Sequence, residues 1–482
     1  MNPKNFSLTR RSVLQAGLAT CVASAIPERL SALTWKIADG RPAPADRRFT
    51  SPAVEAAITQ VSGQISDPVL RAMFERCFPN TLDTTVFPGS FEGHPDTFVI
   101  TGDIDAMWLR DSSAQVHPYL QFAKQDRALA KLLEGVVRRQ TRMILIDSYA
   151  NAFTRNPTDP PLSWAVHDDT QMKPGIAERK WEVDSLCYVI RLAHGYWKAT
   201  GDTSPFDAEW EAAARKIVQT FREQQRLHGP GPYSFTRTTN NPYDTVAGGG
   251  FGNPARPVGM IFSMFRPSDD SCVYPLFVPA NLFAMASLKR LQELAGTIGD
   301  HELAVQCEEV LAGVDEAVRE YATVQRPSFG EIWAYEVDGY GNRLMMDDAN
   351  APSLLSLPYL GCCDVSDPMY QRTRKFVLSE SNPYFFKGSA AEGVGSPHTG
   401  NGQIWPMGII LRALTSSDDR EIVQCLRWLR DTTAKTNFMH ESFDDNDPAK
   451  FTRPWFAWAN TLFGELMVKV ASERPRVLRQ VG

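Results

Sequence analysis

Two kinds of helix alternate along this chain, and the alternation limits the folds open to it. "DRALAKLLEGVVRRQTRMILID", "FDAEWEAAARKIVQTFREQQR" and "DHELAVQCEEVLAGVDEAVREYA" are long and amphipathic, each with one polar face. Between them lie "MWLRDSSAQVHPYLQFA", "WEVDSLCYVIRLAHGYWKATGD", "PSDDSCVYPLFVPANLFAMASLKRL", "DANAPSLLSLPYLG", "GQIWPMGIILRALTS" and "RPWFAWANTLFGELMVKVA". These are apolar nearly all round, the pattern of helices buried on every side. Six buried helices alternating with half-exposed ones predict two concentric layers, an all-α (α/α)6 barrel. An irregular bundle or a solenoid is the competing arrangement, but no solenoid repeat signature is apparent.

Short β elements are predicted at 97–104, 231–237 and 332–346, the last with Asp338-Gly339 and Gly341-Asn342 turn signals. They are expected to decorate the active-site end of the barrel. "DPVLRAMFERCF" opens on an Asp67 cap. The Gly-rich stretch at 246–260 lacks the strand–turn–helix context and Gly-Lys-Ser/Thr ending of a phosphate loop, and reads as a loop.

The N-terminus, "MNPKNFSLTRRSVLQAGLATCVASAIPERL", sets Arg10 and Arg11 before an apolar run and offers an A-x-A site at Ala23 to Ala25. Residues 1–25 therefore read as an export signal, and the paired arginines resemble the twin-arginine type. This predicts passage through the twin-arginine export machinery, a periplasmic or extracellular location, and no membrane attachment once the signal is cleaved. Residues 26–48 read as a linker, and 49–475 as a single barrel domain. The net charge of −6 gives no footprint for nucleic acid. Seven cysteines beyond Cys21 occupy mostly apolar contexts, Cys362-Cys363 is a poor geometry for a normal bridge, and free thiols are expected. No C-x-x-C or H-x-x-x-H spacing points to zinc, so neither a metal nor a cofactor is expected.

Polar clusters at the starts of buried helices converge at one end of such a barrel. An acid there is costly unless it caps, pairs or reacts. Trp108, Arg110 and Asp111 suit a sugar subsite, an arginine fork and carboxylate for hydroxyls beside an indole. Asp269 and Asp270 are adjacent carboxylates at a nearly uncharged helix entry. That is more than a cap needs, and like-charge proximity can raise one pKa. His398 lies in a loop near Trp405, a candidate hydroxyl ligand. In "FMHESFDDNDPAKFTRPWFAWAN", Asp444, Asp445 and Asp447 read as a solvated turn. Glu441, flanked by aromatics beside His440, is the unusual acid, and Arg453 opens the last buried helix. Paired carboxylates among 11 tryptophans, without a Ser-His-Asp spacing, suggest glycoside hydrolysis. A carbohydrate lyase or epimerase and a non-catalytic sugar-binding protein are the alternatives.

The same stretches, with "LMMDDANAPSLLSLPYLG" and "GSPHTGNGQIW", resemble the sequence blocks of glycoside hydrolase family 125 from about residue 85 to 468. The resemblance implies an exo-acting, inverting α-1,6-mannosidase that needs no metal and takes mannose from a mannose-containing oligosaccharide, an N-glycan or a mannan. It implies Glu441 as the general base and an acid within the Asp269-Asp270 pair, with Asp269 the first choice and Asp270 the alternative. It also implies that Arg110, Asp111 and His398 line the terminal-mannose subsite, and that Asp347, Asp348 and Asn350 contact hydroxyls. Ser442 stands where the family often has Gly. Another inverting exo-glycosidase on the same barrel, such as a glucosidase, is the nearest rival. Inversion requires carboxyl groups roughly 6.5–9.5 Å apart.

Overall fold

Residues 40–482 are described by the computed structural model. The export-signal expectation for residues 1–25 and most of the expected linker lie outside them. Ala43–Gly482 form one compact unit, built of α1 (Pro52–Ser62), α2 (Pro68–Cys77), α3 (Leu109–Val116), α4 (Arg127–Ile146), α5 (Val183–Thr200), α6 (Ala208–Gln224), α7 (Val278–Ile298), α8 (His301–Tyr321), α9 (Pro368–Val377), α10 (Pro406–Leu414), α11 (Asp419–Asp431) and α12 (Ala457–Glu473). The unit is helix-rich, with short strands. Among the described residues no helix is long and apolar enough to cross a membrane.

The amphipathic segments become α4, α6 and α8, each opened by an aspartate side chain (Asp126, Asp207, Asp300) that accepts from first-turn N–H groups. Asp67 caps α2 in the same way. The apolar segments become α3, α5, α7, α10 and α12, buried along most of their length. They pack on one another as α12–α3–α5–α7 and α10–α12, while α4, α8 and α11 lie against α5, α7 and α10.

The expected helix in "DANAPSLLSLPYLG" is instead a buried run of turns. Pro352 and Pro358 bring no N–H to an α-ladder. The Ser353 and Ser356 hydroxyls take backbone N–H groups locally: Ser353 N donates to Ser356 Oγ at 2.7 Å and Ser356 N to Ser353 Oγ at 3.2 Å. Of the predicted strands, 97–104 contains the end of a hairpin, Val86–Phe91 with His94–Val99. The 332–346 stretch splits among Gly330–Trp333, Glu336–Val337 and Arg343–Leu344. The 231–237 stretch contributes only an isolated bridge from Thr236 to Asp169.

Three small sheets lead straight into buried helices. Met107–Trp108, paired with Ala152–Phe153 and through it with Ile176–Glu178, runs into α3. Leu276–Phe277, paired with Glu336–Val337, runs into α7. Gln403–Ile404, paired with Ser442–Asp444, runs into α10. The backbone at these helix starts is thus fixed by strand pairing, which is what places the polar side chains described next. The seven described cysteines are free.

Candidate active site

A cleft of about 480 Å³ opens at these strand–helix junctions. Ten of the residues singled out from the sequence line it: Trp108, Arg110, Asp111, Asp269, Asp270, Asn350, His398, Trp405, Glu441 and Arg453. Asp347 and Asp348 do not, which corrects the expectation that they contact hydroxyls. Asp347 accepts from the N–H groups of Leu354 and Leu355 at 2.8 and 3.0 Å, a cap for the turn run. Asp348 accepts from Asn350 N at 2.9 Å and Ser396 Oγ at 2.8 Å. Both carboxylates are taken up by these hydrogen bonds, and neither lines the cleft.

The centre is Arg110, buried in the first turn of α3. Trp108 is the N-cap and supplies no side-chain cap, and Asp111 lies within the first turn. The Arg110 guanidinium lies 2.5 Å from Glu182, 3.3 Å from Asp269, and 3.5 Å from both Asp111 and Asp184. One cation among four carboxyl groups cannot hold all four ionised in a dry setting. Burial pushes Asp111 and Asp184 up to about 6 against the pull of Arg110. Glu182 is pushed well above the usual range by burial, helped by the neighbouring Asp269 charge and only partly opposed by Arg110. Asp269 goes the other way: burial opposes it, but Arg110 and Lys180 draw it down to about 2. Glu182 and Asp269 thus share the Arg110 guanidinium but are pushed in opposite directions, which leaves the proton on Glu182.

Asp269 and Asp270 are not at the start of α7, which begins at Val278. They sit on a tight loop closed by Arg266 N donating to Asp270 O at 2.8 Å and Asp269 N donating to Arg266 O at 2.9 Å. The buried ion pair of Arg266 with Glu336, 2.6 Å, anchors that loop. Asp269 has φ +64°, a left-handed conformation uncommon for residues other than glycine. Its carboxylate accepts from Arg110 at 3.3 Å and Asn151 at 3.4 Å, and its carbonyl from Lys180 Nζ at 2.9 Å. Asp270 is more buried, and its Oδ1 is 3.0 Å from His398 Nδ1. Burial favours neutral His398, but that hydrogen bond and the surrounding carboxylates outweigh it and raise the imidazole to about 9. His398 is therefore protonated at neutral pH, facing the Asp270 carboxyl group.

Glu441 immediately precedes the strand Ser442–Asp444 and accepts from Arg453 Nη1 at 3.3 Å. Arg453, with φ +43°, also grips Asp103 with two N–H groups, one at 2.9 Å, and lies 4.5 Å over the Phe456 ring. His440 turns away. It stacks on Phe451 with centroids 3.9 Å apart, and its nitrogens meet the carbonyls of Thr433 and Arg453. Asp444 caps the turn after its strand by accepting from Asn446 N and Asp447 N.

Sequence reasoning missed a second polar wall: Glu178, Lys180, Arg237 and Asp244, with Asp103 and Trp164. Arg237 forks onto Asp168 at 2.7 Å and reaches Glu178 at 2.9 Å and Asp244 at 2.8 Å. The charge run "ERKWEVD" just before the apolar α5 was its one legible signal. Several cleft residues carry buried polar atoms that make no hydrogen bond within the protein, namely Trp108 Nε1, Asp111 Oδ2, Ser268 Oγ, Asp270 Oδ2 and Trp458 Nε1. Unused donors and acceptors crowded round one cleft suit a polyhydroxylated ligand. Among the described residues, no group of three or more His, Cys, Asp or Glu is placed to hold a metal ion.

Comparisons with known proteins agree in direction. A family model described as metal-independent α-mannosidase, glycoside hydrolase family 125, matches residues 67–468. The chain is similar to a Streptococcus pneumoniae protein from work on metal-independent α-mannosidases, solved as a non-productive complex with α-1,6-mannobiose. That likeness has 40% identity and a TM-score of 0.84, over 89% of this chain and 100% of that one. The chain is also 41% identical over 464 residues to the meiotically up-regulated gene 157 protein of Schizosaccharomyces pombe, covering 91% of this chain and 90% of the other. A bacterial glucoamylase solved with acarbose resembles it in fold alone, at TM-score 0.50 and 11% identity, over 85% of this chain and 58% of that one.

Proposed function

The chain belongs to glycoside hydrolase family 125, the metal-independent α-mannosidases, and on that footing we propose that it is an exo-acting, inverting α-1,6-mannosidase working at the mouth of an (α/α)6 barrel. The buried helices α3, α5, α7, α10 and α12, with the turn run after Asn350 as a sixth inner element, make the inner ring. The observation that carries the reading is that Asp269 and Glu441, some 170 residues apart in sequence, line one cleft.

In this reading the terminal mannose sits among Arg110, Asp111, His398 and Asn350, its hydroxyls taking the unused donors and acceptors. Asp269 faces the glycosidic oxygen. A proton held on Glu182, which shares the Arg110 guanidinium with Asp269, passes through Asp269 to the leaving oxygen. Asp270 is the weaker candidate, because it is the more deeply buried of the two and its Oδ1 is engaged by His398 Nδ1 at 3.0 Å. Glu441, oriented by Arg453, takes a proton from water as that water attacks the anomeric carbon on the face away from the leaving group. The carbon–oxygen bond breaks with its electrons on the leaving sugar, and the product mannose has the opposite anomeric configuration. The site of action is proposed to lie outside the cytoplasm, on the strength of Arg10-Arg11 before an apolar run. Replacing both by lysine should retain the protein inside the cell, and unchanged export would overturn that part.

Assaying purified enzyme on α-1,6-, α-1,2- and α-1,3-mannobiose and on glucose disaccharides tests the substrate. Preferential turnover of the α-1,6-linked mannoside is expected. Turnover of glucosides in its place would support the glucosidase reading.

A further inference from the structure

We infer that Trp164 is the stacking platform for the leaving-group sugar, the one that carries the scissile oxygen away. The inference rests on the mannosidase reading and assigns a subsite within it.

Four tryptophans line the cleft, Trp108, Trp164, Trp405 and Trp458. Three are walls: 4%, 2% and 2% exposed for Trp108, Trp405 and Trp458. Trp108 is packed among Ala106, Ala152 and Ala177. Trp405 is tied through Nε1 to Thr399 Oγ1 at 2.8 Å, and Trp458 meets Tyr188 and Phe456 edge-on. Trp164 is 45% exposed, so it alone of the four is substantially open at the cleft. A broad apolar face with a fixed polar edge is what a pyranose ring stacks on.

Its orientation is set. The indole Nε1 donates to Glu178 Oε1 at 3.0 Å. Glu178 is buried and accepts from Arg237 Nη2 at 2.9 Å. The loop carrying Trp164 is held by the Arg237–Asp168 fork and by the Asp169–Thr236 bridge. An exposed indole on a pinned loop with an anchored N–H is arranged before ligand arrives.

Its side of the cleft is also set. Glu178 Oε2 accepts from Asn151 Nδ2 at 3.1 Å, and the same Nδ2 is 3.4 Å from Asp269 Oδ1. Two residues thus link the platform to the acid. Glu441 is held by a different group, Arg453 and Asp103. The acid must sit beside the leaving oxygen, so an aromatic surface in the acid's network stands where the departing sugar lies.

The test is the ratio of two substrates. α-1,6-Mannobiose places a sugar on the platform, whereas α-mannosyl fluoride has a leaving group of one atom and does not reach it. Trp164→Ala should lower kcat/KM for mannobiose about tenfold more than for the fluoride, with the loss mainly in KM, and Trp164→Phe should restore most of it. Equal losses on both substrates, or no loss, would overturn this inference alone. A wild-type enzyme that hydrolyses neither substrate would overturn the mannosidase reading and this inference with it.

Discussion

Arg110→Met removes the guanidinium that touches Asp111, Glu182, Asp184 and Asp269, while leaving a side chain of similar length. At 3.3 Å and an effective dielectric near 20, each contact is worth roughly 5 kcal/mol gross. The four do not sum, because the carboxyl groups repel one another and have already left water. Breaking a buried pair by removing one partner costs about 3–5 kcal/mol net, and that is the expected loss of stability at pH 7.5. The loss has a definite pH dependence. Without Arg110 the folded-state pKa values of Asp111, Glu182 and Asp184 rise further above their unfolded values. A group of that kind contributes stability present below its unfolded pKa, near 4, and lost as pH rises through its folded pKa. Asp111 and Asp184 already sit at about 6 with the cation in place. The deficit of the variant relative to wild type should therefore shrink on going from pH 7.5 to 5, by about 1.4 kcal/mol per pH unit for each carboxyl that titrates in that window. Urea unfolding of both proteins at the two pH values measures it. A deficit below about 1 kcal/mol at pH 7.5, or one that grows on acidification, would refute the account of Arg110 as the cation holding a crowded carboxyl cluster.

Glu441→Gln should lower kcat on α-1,6-mannobiose by about 10²–10⁴-fold with little change in KM, read by steady-state kinetics. Asp269→Asn should show a loss of similar size on mannobiose but far less on α-mannosyl fluoride, whose leaving group departs without a proton. If Asp270→Asn shows that selective loss and Asp269→Asn does not, the acid is Asp270. Asp347→Asn weakens the acceptor for Leu354 N and Leu355 N, so it should cost about 1–2 kcal/mol in urea unfolding and leave kcat/KM nearly unchanged. A collapse of activity without a loss of stability would return Asp347 to the cleft.

Much of this architecture was legible because burial leaves a strong periodic signal. α4, α6 and α8 follow their polar faces, and α5, α7 and α12 their lack of one. The "DANAPSLLSLPYLG" stretch misled for a physical reason: it is as apolar as its neighbours, but two prolines and two serines divert its backbone from the α-ladder. At the site, sequence showed which residues were expensive to bury. It did not show how each is offset. Asp347 and Asp348 have the same composition signal as Asp269 and Asp270, yet the first two are answered by backbone N–H groups and neutral side chains and the second two by Arg110, Lys180 and His398. Arg237, Asp244 and Trp164 went unseen because they come from loops without periodicity and meet the cleft only through contacts far apart in sequence. Glu182 and Asp184 stood inside a stretch already quoted. What hid their part was Arg110, distant in sequence and 2.5 Å from Glu182 in space.

The central claim is direct displacement by water between the acid at Asp269 and the base at Glu441. Following the first turnovers of α-1,6-mannobiose by proton NMR, before mutarotation, tests it most directly. The account predicts that the released terminal sugar appears first as β-mannopyranose. Initial release of α-mannopyranose would contradict it, because retention requires a covalent intermediate on a carboxylate here assigned to water.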